Sequence, residues 1–234
     1  MDNFSFRAFE NRDRLHLAAS ELCAKTLRSA LDERKQAVFV GAGGTTPTPI
    51  YNRLQQADLN WSDITIGLTD ERWTSPNRPG SNAHLMSESL LQGPAAAARF
   101  LPLVRDTDTS LVEAVDTANA TYRSAMPDCD LMVLGMGEDA HALSWFPGSD
   151  GVEFAMDPDA DKWVAAIDAT NIPAAGNYPI RLTLTASAVA SAKTCLLVIT
   201  GAKKRKVLET STQKTPIKRL AAISSAPILT YWAP

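Results

Sequence analysis

His141 is one of only three histidines in the chain, and it stands in GMGEDAHALSWFPGS (residues 135–149), just past the apolar run DLMVL. Two carboxylates, Glu138 and Asp139, come shortly before it. A carboxylate so close can orient an imidazole and stabilise its charged form. An ordinary histidine titrates at about pH 6.5, which suits a general base near neutrality. The alternative is a plain loop histidine with no role. His16 and His84 have no comparable setting, and no second histidine stands at metal-ligand spacing, so no metal is expected.

Three further loops carry residue types that could bind an anionic sugar. In GAGGTTP (41–47), Gly43, Gly44, Thr45 and Thr46 offer backbone N–H groups and hydroxyls just before an expected helix, the makings of a phosphate cradle. It is not a Walker A loop, because no Gly-Lys-Ser/Thr follows; a tight strand-to-helix turn is the bland alternative. Asp70-Glu71-Arg72 closes an apolar run with three charges. Arg72 could bind an oxyanion and Asp70 or Glu71 sugar hydroxyls, or the three could form a solvated turn. Arg181 opens RLTLT, and Lys203, Lys204, Arg205 and Lys206 open a helix after a glycine turn. Cations are unfavourable at a helix start unless an anion sits between them and the helix, so one of these lysines is expected to be functional.

Several chemistries find less support. Gly135, Gly137 and Ala140 fit the G-x-G-x-x-A dinucleotide fingerprint, but Trp145, Phe146, Pro147 and Gly148 interrupt any helix there. Only Asp161 or Asp168 could supply the acid needed about 20 residues on. There is no G-x-S-x-G elbow and no Cys–His arrangement for a covalent nucleophile. Cys129 and Cys195 lie in or beside apolar runs and read as packing.

The elements that must position these loops alternate in kind. Apolar residues at helical spacing predict a long helix over 12–34. AVFVG, DITIGLTDER (63–72), RFLPL, CDLMVLGMG, KWVAAIDA, RLTLTAS, KTCLLVITG and ILTYWAP read as strands. Between them, helices are expected after Thr46 as N-cap, over 82–91 and 108–125, from Lys203 to Ser211, and in PIKRLAAI. This alternation predicts one α/β domain over 1–234, a three-layer α/β/α fold around a mainly parallel, Rossmann-like sheet. In such sheets ligands bind at the carboxyl ends of the strands, where all four loops fall.

At 234 residues, 45% hydrophobic, the chain can bury one large core. A net charge of -3 supplies no global basic field for nucleic acid or anionic lipid, while local cations can still hold a small anion. No run approaches the roughly 20 apolar residues of a membrane span, and MDNFSFRAFENRDR does not resemble a signal peptide. Three scattered cysteines with no CxxC argue against a disulfide framework, so a cytoplasmic location is expected.

Taken together, the loops resemble the 6-phosphogluconolactonase family, within the wider glucosamine-6-phosphate deaminase and ribose-5-phosphate isomerase fold group. The family's Ser-Gly-Gly-Ser-Thr-Pro loop is matched by residues 42–47, and its Asp-Glu-Arg with a later Ser-Asn by Asp70, Glu71, Arg72, Ser81 and Asn82. Its Gly-Met-Gly-x-Asp-Gly-His…Ser-x-Phe-Pro-Gly block is matched by residues 135–148. Its Arg-x-Thr-Leu-Thr is matched by residues 181–185, and its Thr-Gly-x-x-Lys by residues 200–204. Ala140 replaces the family's glycine; if that position has positive φ, alanine costs on the order of 1 kcal/mol. Leu143 and Trp145 are also larger than the family pattern suggests.

The resemblance implies hydrolysis of 6-phospho-D-glucono-1,5-lactone in the oxidative pentose phosphate pathway, without cofactor or metal. His141 would be the base, Asp139 its orienting partner, and Arg72 the oxyanion or sugar contact, with Asp70, Glu71 and Asn82 nearby. Gly43, Gly44, Thr45, Thr46, Arg181 and Lys204 would hold the 6-phosphate. The expected partner is this small sugar phosphate alone, with no nucleic acid or membrane, and the chain is expected to be a monomer or weak homodimer. A sugar-phosphate deaminase or isomerase, a non-catalytic sugar-phosphate sensor, and a nicotinamide-dependent dehydrogenase are the alternatives.

Overall fold

In a computed structural model that describes residues 3–234 except 106 and 108, the first elements are a short strand, β1 (Phe4–Ala8), and a long helix, α1 (Arg12–Arg34). Asn11 caps α1 by accepting from the Arg14 N–H, and Lys35 ends it in the left-handed conformation. The apolar β2 (Ala37–Gly41) follows, then α2 (Thr48–Leu54), β3 (Ile64–Leu68) and β4 (Asp70–Arg72). Helix α3 (Asn82–Ser89), a two-residue β5 (Arg99–Phe100), α4 (Leu111–Ala125) and β6 (Leu131–Leu134) complete the first half. Ser110 and Glu113 form a reciprocal capping box at α4. The second half runs α5 (Val152–Ala155), β7 (Val164–Asp168), β8 (Ile180–Leu184), α6 (Ala186–Ala190) and β9 (Cys195–Thr200). It closes with α7 (Ala202–Thr210), α8 (Pro216–Ile223) and β10 (Ile228–Ala233).

Seven strands form one sheet in the order β1-β10-β9-β6-β2-β3-β5, and all its pairings are parallel. Helices flank it, giving the expected three-layer α/β/α arrangement. The central strands are buried along nearly their whole length, which is why they read as continuous apolar runs. From β2 the chain moves outward to β3, and from β6 it moves the other way to β9. The order therefore reverses between β2 and β6, and the loops leaving these two strands flank the crevice where α/β sheets bind ligands.

Side chains brace both ends of the sheet. The buried Tyr122 hydroxyl accepts from Leu68 N–H at 2.9 Å and donates to the Leu101 carbonyl at 2.8 Å, joining α4 to the ends of β3 and β5. At the opposite end buried Asp130 accepts from Val38 N–H at 2.9 Å and pairs with Arg34 and Lys193.

Four expectations are corrected. The run 63–72 is two strands: β3 ends at Leu68, and β4 leaves for a second, antiparallel sheet in the order β4-β8-β7. Asp70 and Arg72 could not lie between helices as the apolar residues before them do. KWVAAIDA and RLTLTAS also belong to this smaller sheet. Thr46 does not cap α2, which starts at Thr48 after Pro47, with the Thr48 hydroxyl donating to the Gly44 carbonyl at 2.8 Å. Strand β1, unforeseen, pairs with β10 along the outer edge.

Candidate active site

A cleft of about 290 Å³ opens at the β2/β6 crevice, and all four sequence-singled loops reach it. His141 projects from the loop after β6. Its Nδ1 lies 2.6 Å from Asp139 Oδ1, which also accepts from the His141 N–H at 3.2 Å. Burial raises the Asp139 pKa, but the hydrogen bond and charge of His141 outweigh it, leaving the carboxyl below its ordinary value. An ionised Asp139 accepts a hydrogen bond from Nδ1–H, which in the neutral ring leaves the lone pair on Nε2. The dyad fits against Gly137, where a Cβ would stand 2.2 Å from His141 Nδ1 and 2.4 Å from Asp139 Oδ1. Phe146 packs on the imidazole with ring centres 4.4 Å apart.

The loop holds this shape at a local cost. Ala140 has φ +67° and Leu143 φ +52°, both left-handed. The Ala140 strain, about 1–2 kcal/mol, is offset by its buried methyl, worth about 0.8 kcal/mol, and by a smaller unfolded-state entropy than glycine's. Ala140→Gly is therefore expected to change unfolding free energy by less than about 1 kcal/mol in denaturant titrations. A gain of several kcal/mol would show that the strain is not offset. Among the bonds that anchor the loop are Ile217 N–H to the Ala140 carbonyl at 3.2 Å, Trp145 Nε1 to the Leu184 carbonyl at 2.9 Å, and Ser144 N–H to Thr183 Oγ1 at 3.3 Å. Trp145 is fully buried and so does not reshape the cleft, whereas Leu143 lines it.

The small sheet supplies the cations. Arg72 and Arg181 are direct partners in the β4–β8 register, so both guanidinium groups leave the same face. Burial lowers the Arg181 pKa; Asp70 opposes this from 3.7 Å, and Arg72 adds to it. Arg181 also lies over the Phe146 ring, 5.5 Å from its centre. Asp70 is held by Ser144 Oγ at 2.6 Å and Thr69 Oγ1 at 3.0 Å. Asn82 donates to the Asp70 carbonyl at 2.8 Å and accepts from Arg72 Nη1 at 2.8 Å.

Across the cleft run Gly43, Gly44, Thr45 and Thr46, whose four N–H groups donate to no acceptor among the described residues. Gly43 is required by crowding: a Cβ there would stand 1.9 Å from Asn82 Oδ1. Of the basic run in α7, Lys204 lines the cleft, and burial lowers its pKa against the opposing charge of Glu138. Lys203 is exposed and pairs with Glu138.

Glu71 does not face the cleft. It is fully buried, with Oε1 accepting from the Arg72 and Asn82 N–H groups and Oε2 from Ser81 Oγ and the Ala83 N–H, all at 2.7–2.8 Å. Its expected place at the sugar hydroxyls is thus corrected: it holds the start of α3. Sequence reasoning gave Gly137, Ser144 and Phe146 no role in the site. All three lie inside the 135–149 block, whose density of glycine, serine and aromatic residues was the available signal.

Comparison with known proteins gives concordant results. Residues 10–228 match the model of the family described as glucosamine-6-phosphate isomerases/6-phosphogluconolactonase. A 6-phosphogluconolactonase of Mesorhizobium japonicum is 34% identical over 99% of this chain and 96% of its own length. One from Pseudomonas aeruginosa is 37% identical over 92% and 89%. The crystal structure of a 6-phosphogluconolactonase from Shewanella baltica superposes with a TM-score of 0.91 at 30% identity, covering 99% of this chain and 98% of that one.

Proposed function

Since the chain belongs to the glucosamine-6-phosphate isomerase/6-phosphogluconolactonase family, we infer that it hydrolyses 6-phospho-D-glucono-1,5-lactone to 6-phosphogluconate, the lactone-opening step of the oxidative pentose phosphate pathway. The observation that carries this reading is the His141–Asp139 dyad, whose Nε2 has no hydrogen-bond partner among the described residues, in the same cleft as Arg72, Arg181 and Lys204. An activated lactone needs a base, a held water and oxyanion stabilisation, but no covalent intermediate.

His141 Nε2 takes a proton from water as the oxygen attacks C1. Arg72 stabilises the resulting oxyanion. When the tetrahedral centre collapses, the bond from C1 to the ring oxygen breaks, and the imidazolium returns its proton to that oxygen. Asp139 stabilises the imidazolium in between. The N–H groups of residues 43–46, with Lys204 and Arg181, hold the 6-phosphate and so fix C1 beside the base. Asp70 and Asn82 keep the arginines in place and border the sugar.

The cleft draws its lining from both sheets of one chain, which supports a single domain over 1–234 and a monomer or weak homodimer as the working unit. Three free, buried cysteines and a central sugar-phosphate substrate support a cytoplasmic location.

The test is hydrolysis of freshly generated lactone with the spontaneous rate subtracted. Lys204→Ala is expected to raise KM roughly tenfold with little change in kcat, because a phosphate contact distant from C1 is lost. Absence of wild-type hydrolysis, with turnover of glucosamine 6-phosphate instead, would move the reading to a deaminase.

A further inference from the structure

The two arginines of the cleft lean on the loops above them. Arg181 donates from Nε to the Tyr178 carbonyl at 2.5 Å and from Nη2 to the Ala175 carbonyl at 2.9 Å. Both carbonyls belong to residues 169–179, between β7 and β8. Arg72 donates from Nη1 to the Gly80 carbonyl at 2.7 Å, in residues 73–81 between β4 and α3. Each guanidinium is thus placed by a different loop.

Tyr178 joins those loops. Its hydroxyl donates to the Pro79 carbonyl at 3.2 Å, and its ring lies against Gly80. A Cβ on Gly80 would stand 2.7 Å from the hydroxyl oxygen and 2.8 Å from two ring carbons. Gly80 also has φ +99°, so the glycine serves both the turn and the seat of the ring. Tyr178 itself stays about a third exposed (36%), so burial of its own side chain does not explain the contact.

The arginines need this bracing. They sit opposite each other across the β4–β8 pair, where like charges repel. Long basic side chains also hold considerable rotamer entropy. Two guanidinium groups left free would splay, and a ligand would have to gather them again at a cost in affinity. The catalytic dyad is on another loop, fixed by Trp145 and by the Ala140 carbonyl, and does not depend on the contact.

We propose that Tyr178 is a positioning residue: its ring, seated on Gly80, locks the two loops together and fixes the spacing of Arg72 and Arg181 for the sugar phosphate. This rests on the lactonase reading of the cleft. It acts on substrate affinity through both arginines and on the oxyanion through Arg72, and leaves proton transfer to His141.

The test combines steady-state kinetics on the lactone with calorimetric titration of 6-phosphogluconate. Tyr178→Ala is expected to raise KM and weaken product affinity roughly tenfold, and to lower kcat by about threefold to tenfold because Arg72 also faces the oxyanion, while the pH dependence of kcat, set by His141, stays unchanged. Gly80→Ala, which fills the ring's seat from the other side, should give the same pattern. Tyr178→Phe should restore most of the affinity, because the ring remains and only a long, solvent-facing hydrogen bond is lost. In an Arg181→Ala background, Tyr178→Ala should add clearly less than it does alone. Unchanged affinity in both Tyr178→Ala and Gly80→Ala, with intact melting curves, would overturn the proposal, as would full additivity with Arg181→Ala. If the wild type does not hydrolyse the lactone, the lactonase reading fails, and the titrations with 6-phosphogluconate still decide the role of Tyr178.

Discussion

His141→Gln is expected to lower kcat for lactone hydrolysis by about a thousandfold, inside the 10²–10⁴ that a positioned acid–base group contributes. Glutamine keeps the bulk of the side chain but offers no nitrogen that can take a proton from water near neutral pH. The proposed phosphate contacts lie on other loops, so KM should stay within about twofold. Asp139→Asn should follow in the same direction. An asparagine amide facing Nδ1 as a donor would push the ring proton to Nε2 and present the wrong tautomer to water, the failure known from catalytic triads. Initial rates of acid release, corrected for spontaneous hydrolysis, measure both. Wild-type kcat in His141→Gln would remove the dyad from the mechanism and leave the arginines and bound water to account for the rate.

How much of this was legible depended on whether a residue's meaning is local. His141 and Asp139 are two positions apart, so their pairing could be anticipated from sequence, and the structure places them 2.6 Å apart. The apolar runs of β2, β6 and β9 have no other place to go than the middle of a sheet, and they went there. The run 63–72 was illegible in part because hydrophobicity fades smoothly into charge, and nothing in ITIGLTDER marks the point where the chain changes sheets. Strand β1 was hidden by exposure: an edge strand whose side chains mostly face solvent has no buried face to print a pattern. The small sheet escaped notice for a different reason. Its register sets Arg72 beside Arg181, over a hundred positions away in sequence, and only the folded path makes them neighbours.

Glu71 shows the same limit at its sharpest, and it carries the largest expected effect on stability. Within Asp70-Glu71-Arg72 the two carboxylates are equivalent by composition, and either could be read as a sugar ligand. The path of the chain separates them, because residues 81–83 return to Glu71 ten positions later as the start of α3. Its carboxylate there satisfies the N–H groups of Asn82 and Ala83, two of the donors that a helix start leaves open, together with Arg72 N–H and Ser81 Oγ. Burial pushes its pKa up and the four donors pull it back, so it is a costly group retained for what it holds. Glu71→Ala would leave the buried N–H groups of Asn82 and Ala83, the half-buried N–H of Arg72 and the Ser81 hydroxyl without their acceptor. The expected loss is about 3–5 kcal/mol of stability, or on the order of 10 °C in Tm for a chain of this length. Glu71→Gln keeps the shape but turns an amide NH₂ toward donors, and should cost about 1–3 kcal/mol. Calorimetric melting alongside KM separates the two readings of this residue. A sugar ligand would raise KM and leave Tm nearly untouched. The helix anchor lowers Tm first, and disturbs KM only because Asn82 and Arg72, which it places, move with it.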